Sequence, residues 1–442
     1  MKHNALVKGA FLLTAISFLT RIMGFFYRIY LSRTFGEENV GLYQLIFPIF
    51  SLCLAFSVSG IQTALSRIIA YKLQKNDREG AMNSLKTALF FSVLLSFFTL
   101  LIVQQNAVLI SEHFIGDIRC VDLLIIMTYA LPFATVHSCI SGYYFGLKQA
   151  AIPAVSQLLE QIFRILCVVF LCVAAQKKNI PLRITFAVAG IVIGEAASSL
   201  CTVLSLKKVS HTHHLTGFFT NLKELASLSV PLTSNRIVLT VFQSIEAVSI
   251  PSQLQRCHYT AAQSLSIYGV LTGMALPCIL FPSAITNSFS LLLTPTVAGI
   301  QSASDTKHLS AVIKRSSFLC FTLGMMACVF FLLFGTAVGS HLFHSTLAGY
   351  FIITLAWICP FFYLNTTLSS ILNGLGKTST TFLVNILGIS IRILSIFCLI
   401  PVFDLKGYLW GLLLSQMIIS LLYYLCLRKY LVKSNITNES LL

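Results

Sequence analysis

The sequence predicts an all-helical polytopic membrane protein, and three observations lead to this fold class. First, 56% of the 442 residues are hydrophobic and only 10% are charged, whereas soluble domains carry about 25% charged residues. Second, apolar stretches long enough to cross a bilayer recur along the whole chain. Third, short segments of the first half reappear in the second half at similar spacing. This composition excludes a soluble enzyme and a disordered protein.

About twelve stretches are long and apolar enough to span a bilayer as helices. They cover residues 6–31, 41–68, 87–105, 121–146, 153–175, 183–206, 226–249, 266–298, 316–337, 347–372, 380–401 and 407–428. Cytoplasmic loops are enriched in lysine and arginine, so these residues set the orientation. With the N-terminus inside, the inner segments hold 17 basic residues and the outer segments hold 7. Both termini are therefore expected to be cytoplasmic, and the net charge of +16 requires no nucleic acid.

Internal matches indicate two halves of six helices each. Gly146 precedes Arg164 by 18 residues, and Gly374 precedes Arg392 by the same 18. Because six is an even number, both halves would insert with the same orientation, as two lobes related by a pseudo-twofold axis along the membrane normal. The predicted organisation is an N-terminal lobe at 1–206, a cytoplasmic linker at 207–225, a C-terminal lobe at 226–428 and a cytoplasmic tail at 429–442.

Arginines inside the predicted spans are candidate binding residues, because a charge at the bilayer centre costs about 2.5–3.5 kcal/mol on insertion scales. A guanidinium group forks two hydrogen bonds onto phosphate oxygens, so arginines around a wet cavity would bind a phosphate-bearing headgroup. The arginines expected to form this cationic cavity are Arg21, Arg28, Arg67 and Arg236. Arg28 and Arg67 lie near the ends of their helices, where snorkelling to the interface is an equally good explanation.

A second set of charged residues within the spans would balance or couple charge. It comprises Glu160, Arg164, Glu195 and Glu246. Glu160 and Arg164 are spaced i, i+4 and most simply form an intrahelical ion pair. Glu195 and Glu246 have no local partner, so each either pairs with an arginine on another helix or carries a coupling proton.

No motif in the chain indicates catalysis, a cofactor or a metal. The segment Gly374–Ser379 resembles the end of a P-loop, but Ile371 occupies the position of the required earlier glycine. The protein is therefore expected to be a transporter rather than an enzyme. Its energy would come from coupling to H+, Na+ or the membrane potential, or from the gradient of its own substrate.

Several blocks of the sequence resemble one known family. The blocks are Thr20–Gly36, Gly41–Tyr43, Ser59–Arg67, Ser141–Arg164, Tyr268–Pro282 and Leu293–Pro295. In this order they resemble the oligosaccharide flippases of the stage V sporulation protein B group, a polysaccharide biosynthesis family of the multidrug/oligosaccharidyl-lipid/polysaccharide exporter superfamily. The resemblance implies a multidrug-and-toxin-extrusion-like bundle of two lobes.

The resemblance also implies an activity and partners. By alternating access, such a protein flips an undecaprenyl-pyrophosphate-linked oligosaccharide or peptidoglycan precursor across the bacterial plasma membrane. In the similar lipid II flippases, arginines of the first two helices line a cationic cavity, and Arg21, Arg67 and Arg28 match them in kind. The expected partners are the lipid-linked saccharide, membrane lipids and a cell-wall or polysaccharide synthase. Sporulation is one process in which such a flippase acts.

Two other functions remain open at the level of sequence. Ion-coupled multidrug efflux uses the same fold, but a cavity for cationic drugs needs unpaired acidic charge. Apart from their terminal residues, the spans hold six arginines against three glutamates, which argues against efflux. A membrane glycosyltransferase or polymerase would place catalytic carboxylates on sizeable loops, and the loops between these spans are short.

Overall fold

Almost the whole chain is helical, as expected where the backbone must satisfy its own hydrogen bonds inside a bilayer. The computed structural model describes residues 2–206, 218–302 and 306–439, and it contains no β-strand in these ranges. The helices that precede residue 207 are α1 (Lys2–Leu54), α2 (Gly60–Gln74), α3 (Arg78–Gln105), α4 (Ala107–Leu109), α5 (Cys120–Thr128), α6 (Ala130–Gly146), α7 (Ala151–Lys177) and α8 (Thr185–Leu206).

The remaining helices follow the same pattern of long spans and short connections. They are α9 (Phe218–Arg256), α10 (Ala261–Gly269), α11 (Leu276–Leu280), α12 (Ser283–Ser302), α13 (Thr306–Leu342), α14 (Thr346–Ala356), α15 (Cys359–Gly374), α16 (Thr378–Cys398), α17 (Ile400–Phe403) and α18 (Leu405–Glu439). Three π-helical segments, Ala55–Ser59, Ile110–Ile115 and Val270–Ala275, adjoin these helices.

The first helical stretch contains two membrane spans joined at Gly36. Helices α1 and α2 form an apolar stretch of 61 residues, and Gly36 within it has a non-helical φ of 78° and ψ of 171°. A positive φ is readily adopted only by glycine, so Gly36 is where the chain can turn. The hydropathy pattern predicts a loop between residues 31 and 41, but the helix continues up to Gly36. Glu37 and Glu38 beyond it are helix-favouring residues and begin the second span.

The number of spans agrees with the prediction from hydropathy. In the described ranges, ten helices are long and apolar enough to cross a membrane, or eleven if the bent pair α14–α15 forms one span. Counting the two parts of the first stretch separately, on either side of Gly36, gives twelve. The all-helical polytopic fold class predicted from composition is therefore confirmed.

Breaks in equivalent helices add structural evidence for the internal repeat. Helices α5 and α6 meet at Tyr129, while α14 and α15 are separated at Trp357 and are bent by 58°. Tyr129 and Trp357 are 228 residues apart, the same spacing that separates Gly146 from Gly374. Gly146 and Gly374 are the last residues of α6 and α15. The fourth span of each half is therefore built from two helical pieces.

The chain forms two compact units, Met1–Val248 and Ser249–Leu442. The first unit has an apolar core between α2, α3 and α6, which Leu225 of α9 also joins. The core of the second unit lies between α12, α13, α15, α16 and α18. Because the first part of α9 packs into the first core, the division falls inside that helix.

The boundaries of the two repeat lobes stay a prediction, since compactness and repeat symmetry are different criteria. Helix α9 begins at Phe218, within the predicted linker at 207–225. Residues 207–217 of that linker and 440–442 of the predicted tail lie outside the described residues.

The surface carries many large apolar side chains. Phe170 on α7 is 72% exposed and Trp410 on α18 is 67% exposed, and similar residues occur along most of the long helices. A soluble monomer rarely exposes so much contiguous apolar surface, so lipid must be the surrounding medium. The protein is a multi-pass membrane protein.

Candidate functional site

Close packing of α7 against α8 brings three charged residues together in the first unit. Gly190 and Gly194 of α8 lie on one face, four residues apart. A Cβ atom at Gly194 would stand 2.8 Å from the carbonyl oxygen of Glu160, and one at Gly190 would stand 3.0 Å from that of Arg164. The two glycines therefore let the backbones approach closely, as small residues do between membrane helices. Glu195 follows Gly194 directly and so lies at the same contact.

Four side chains from three helices form what we call the α6–α8 polar cluster: His137, Glu160, Arg164 and Glu195. Glu160 and Arg164 form the predicted i, i+4 ion pair. The Nδ1 atom of His137 lies 3.7 Å from Oε2 of Glu195. Nitrogen or carboxylate atoms of His137, Glu160 and Glu195 all lie within 4.8 Å of one another. The cluster thus concentrates opposite charges where water is scarce.

Hydrogen bonds around His137 favour one arrangement of hydrogens on its ring. The hydroxyl of Ser156 donates to the carbonyl oxygen of Pro153 at 2.9 Å. Its oxygen is then available to accept from Nε2 of His137, 3.0 Å away, in the tautomer that carries its hydrogen on Nε2. In a neutral imidazole the other nitrogen, Nδ1, is then an acceptor. Nδ1 faces the Glu195 carboxylate, and two acceptors would repel unless a proton or another cation lies between them.

Two buried polar atoms of the cluster retain unused hydrogen-bonding capacity. Oε2 of Glu195 and Nε of Arg164 have no hydrogen-bond partner in the described part of the chain. Glu195 is only 9% exposed. Buried polar groups are normally satisfied, and each exception needs an explanation such as a bound ion or a catalytic role. A cation at Glu195 would satisfy this oxygen.

The same cluster offers three ligand atoms that suit a metal ion, but its charge balance favours a single proton over a divalent cation. His137, Glu160 and Glu195 could supply one nitrogen and two oxygen ligands. Arg164 already occupies the Glu160 carboxylate, and a bound divalent cation would displace or repel that guanidinium. A single proton between His137 and Glu195 requires no such rearrangement.

Residues of α1 extend the cluster towards the first span. Arg28 is half-buried and interacts electrostatically with Tyr43 and Arg164. The buried Tyr27 also lies within electrostatic range of Arg164 and is adjacent to Tyr43. Arg28 is therefore beside the cluster, an environment that differs from that of an arginine snorkelling at a helix end.

The other candidate arginines have a different environment. Arg21, Arg67 and Arg236 are exposed, and none of them forms an ion pair within the ranges that the structure describes. Glu246, on the same helix as Arg236, is 8% exposed and has an interaction partner. The binding role of the three exposed arginines stays a prediction.

His137 is the member of the cluster that sequence analysis missed. It is the one histidine within the apolar stretch 121–146, and an ionisable residue inside a span is by itself a functional signal. What could not be read from the sequence is its partner, since Glu195 lies 58 positions further along the chain.

Comparison with known proteins assigns the fold. The chain is 25% identical to stage V sporulation protein B of Bacillus subtilis (strain 168), over 98% of this chain and 85% of that protein. It is 23% identical to the lipid II flippase MurJ of the same organism, over 95% of this chain and 82% of that protein.

Two solved structures share the arrangement of helices. A structure of lipid II flippase MurJ in an inward closed conformation matches with a TM-score of 0.75 and 15% identity, over 96% of this chain and 90% of that one. An inward-facing multidrug resistance transporter of the MATE family matches with a TM-score of 0.72 and 14% identity, over 97% and 99%. The multidrug-and-toxin-extrusion-like fold expected from the resemblance is therefore confirmed. The family model for "Polysaccharide biosynthesis protein" matches residues 6–266, which is more than half of the sequence, and the chain belongs to this family.

Proposed function

We propose that this protein flips a lipid-linked saccharide from the inner to the outer leaflet of the bacterial plasma membrane by alternating access. The substrate would be an undecaprenyl-pyrophosphate-linked oligosaccharide or a peptidoglycan precursor. Membership of the polysaccharide biosynthesis family supports this proposal, as does similarity to a protein named as a lipid II flippase over 95% of the chain. The reaction is transport, and no bond in the saccharide is made or broken.

The observation that carries the proposal is a set of unpaired arginines on membrane-spanning helices. Arg21 and Arg236 are exposed side chains within long apolar helices, and no carboxylate pairs with either in the described ranges. An unpaired charge at this depth is costly unless it faces water or a ligand of opposite charge. A pyrophosphate group offers paired oxygens that accept two hydrogen bonds from one guanidinium. Arg67 and Arg28 would complete the contact with the headgroup.

Flipping by purified protein in vesicles tests this binding role. We expect Arg21→Ala to lower the rate of flipping of fluorescent undecaprenyl-pyrophosphate-linked disaccharide by about 10-fold or more, because a hydrogen bond to a charged group contributes about 1.5–3 kcal/mol. Arg183→Ala, at an exposed arginine of a connecting segment, is the matched control and should flip like the parent. Equal rates for Arg21→Ala and the parent would overturn the cationic-cavity proposal.

The α6–α8 polar cluster is proposed to couple flipping to a cation gradient. A proton shared by His137 and Glu195 would relieve the repulsion between their facing acceptors, and loss of that proton would restore the repulsion. The Glu160–Arg164 pair and the nearby Arg28 would respond to this change of charge, because all of them interact within a poorly hydrated region. Glu246, buried on α9, is a further candidate for charge balance.

Imposed ion gradients test the coupling. In vesicles, Glu195→Gln should flip at a rate that no longer depends on a pH gradient, because an amide cannot exchange the proton. Glu112→Gln, at an exposed acidic residue, should respond like the parent. A sodium gradient applied to the same vesicles separates the two ions. If Glu195→Gln keeps the full response of the parent to both gradients, the cluster is not the coupling site.

The orientation and the protein partner are proposed on the same basis. The excess of basic residues in alternate connections supports cytoplasmic N- and C-termini. The lipid-linked substrate and the membrane lipids are the partners that the family membership supports. A synthase that uses the flipped saccharide at the outer face would catalyse the step after flipping.

A further inference from the structure

A mixed aromatic and charged pocket lies at one end of the second unit. It has a volume of about 380 Å³ and is formed where three connections meet: the end of α9, the start of α14 and the start of α18. The residues that matter here are Tyr259, Tyr350, Phe351, Phe403, Asp404 and Lys406. All three connections belong to the side that the charge distribution predicts to be outer. Concave sites of about 300–1,000 Å³ with a few polar groups are typical of ligand sites.

Asp404 holds an unusual backbone conformation within this pocket. Its φ of 52° and ψ of −149° lie in a region that residues other than glycine rarely occupy. Such conformations persist only when the surroundings impose them, and they cluster at functional sites. Gly407 approaches the backbone of Leu399 so closely that a Cβ atom there would stand 2.5 Å from its carbonyl carbon. The connection is therefore held in a fixed turn that presents residue 404.

The charged groups of the pocket are not used in pairing. Asp404 and Lys406 are both exposed, and neither forms an ion pair in the described part of the second unit. Beside them, the rings of Tyr350 and Phe403 are 45% and 58% exposed. Aromatic side chains that only anchor a protein at the membrane interface need neither a concave site nor an adjacent carboxylate on a strained backbone. The combination indicates a ligand with an apolar face and several hydrogen-bonding groups.

We propose that this pocket is a binding subsite for an uncharged saccharide ring. The C–H face of a sugar packs on the negative face of an aromatic ring, here Tyr350 or Phe403. Sugar hydroxyls donate to the Asp404 carboxylate and accept from the Lys406 ammonium group. This inference rests on the proposed function, because a flippase that releases a lipid-linked glycan at the outer face exposes its sugars there. An anionic headgroup fits less well because Asp404 would repel it.

Saturation-transfer NMR on the full chain in lipid nanodiscs tests the pocket without requiring flipping. The probe is the soluble disaccharide N,N′-diacetylchitobiose, and we expect saturation to pass from the aromatic side chains to its ring protons. Tyr350→Ala and Asp404→Gly should each lower that transfer by about fivefold or more. Asp404→Gly removes the carboxylate while favouring the native φ, so a folding defect is not the cause. Tyr424→Ala, at a tyrosine that is 57% exposed elsewhere in the second unit, should behave like the parent.

The outcomes separate this subsite from the proposed function. If the parent flips lipid-linked disaccharide but shows no transfer to the probe, the subsite is wrong and the flippase assignment stands. If the parent binds the probe but does not flip the lipid, the assignment is wrong and the saccharide site stands. Unchanged transfer in Tyr350→Ala and Asp404→Gly would show that sugar binds outside this pocket, which also overturns the inference.

Discussion

At the scale of single residues, the proposed sharing of a proton in the α6–α8 polar cluster depends on the geometry around His137. When Ser156 accepts from Nε2, the other ring nitrogen and the Glu195 carboxylate face each other as two acceptors unless a cation lies between them. The arrangement is a consequence of three separate helices. Removing either partner leaves the other buried without its counterpart, which costs about 1–3 kcal/mol.

A double-mutant cycle on this pair should give a clear coupling energy. We expect His137→Ala and Glu195→Ala each to lower the thermal unfolding midpoint in detergent. The decrease in the double variant should be smaller than the sum of the two single decreases. Contacting residues in one network typically couple by about 0.5–3 kcal/mol. Ser111→Ala, at a buried serine outside the cluster, is the control. Its effect on the unfolding midpoint should add to that of Glu195→Ala. Additive losses for His137 and Glu195 would show that the two side chains do not share a proton.

At the scale of helices, glycines decide how closely spans approach. Gly190 and Gly194 bring α8 onto α7, and Gly60 brings α2 onto α9, where a Cβ atom would stand 2.6 Å from the carbonyl oxygen of Ser229. Van der Waals packing drives association of membrane helices because lipid offers no hydrophobic contrast. These contacts therefore fix the positions of the charged side chains nearby.

Substitutions at two glycines should change the stability of the protein in opposite directions. Gly194→Val places branched carbon atoms against the Glu160 carbonyl, and overpacking of this kind costs about 1–3 kcal/mol. At Gly299 on α12, an added methyl group meets no heavy atom within 4 Å. Gly299→Ala should therefore gain up to about 1 kcal/mol in helix propensity. Thermal unfolding of both variants in detergent tests this; a Gly194→Val variant as stable as the parent would contradict the close contact.

The start of α9 is held to the first unit by Lys72 at the end of α2. Its ammonium group donates to Asn221 and to Ser84, each at 2.8 Å, and pairs with Glu224 at 3.3 Å. The side chain of Lys72 is 13% exposed, so these bonds are better shielded than a surface pair. This contact explains why the compact first unit includes the first part of α9.

Loss of the Lys72 contact should loosen that segment. In hydrogen–deuterium exchange, Lys72→Met is expected to speed exchange of residues 218–233 by about 10-fold or more, because bonds to a charged group contribute about 1.5–3 kcal/mol. Lys75→Met is the matched control, since Lys75 is exposed and lies 4.5 Å above the Tyr71 ring. Equal protection in the parent and Lys72→Met would mean that Leu225 and Gly60 hold α9 on their own.

At the scale of the whole molecule, the repeated pattern of helix breaks matches the repeated sequence. Tyr129 and Trp357, at equivalent breaks, are 51% and 54% exposed. An even number of spans in each half predicts that the two halves have the same orientation in the membrane. With the proposed cytoplasmic N-terminus, the basic residues lie mainly on the inner side.

Reporter fusions should follow this topology. A fluorescent protein at the C-terminus should fluoresce, and alkaline phosphatase should be active when fused after Lys178 and inactive when fused after Lys148. These positions lie at opposite ends of α7, so one helix separates the two outcomes. The reverse pattern would contradict the proposed orientation, and activity at both positions or inactivity at both would contradict a single span between them.

The fold class, the number of spans, the candidate charged residues and the family could all be predicted from the amino-acid sequence. These properties are local: each membrane helix must satisfy its own backbone and match the bilayer thickness, so its length and hydropathy can be read directly. The i, i+4 pair of Glu160 and Arg164 is local in the same sense. Even the kink at Gly36 is marked by its residue type, although the absence of a longer loop was not predicted.

Contacts between residues that are distant in the sequence become visible only in the folded chain. His137 and Glu195 lie on different helices, and their contact depends on how α6 and α8 are rotated and how closely glycines let α7 approach. The pocket around Asp404 likewise combines three connections separated by more than 50 residues each. Hydropathy does not predict such contacts, because lipid-facing and interior positions of a membrane helix are both apolar. Only the packing of the helices distinguishes the two kinds of position.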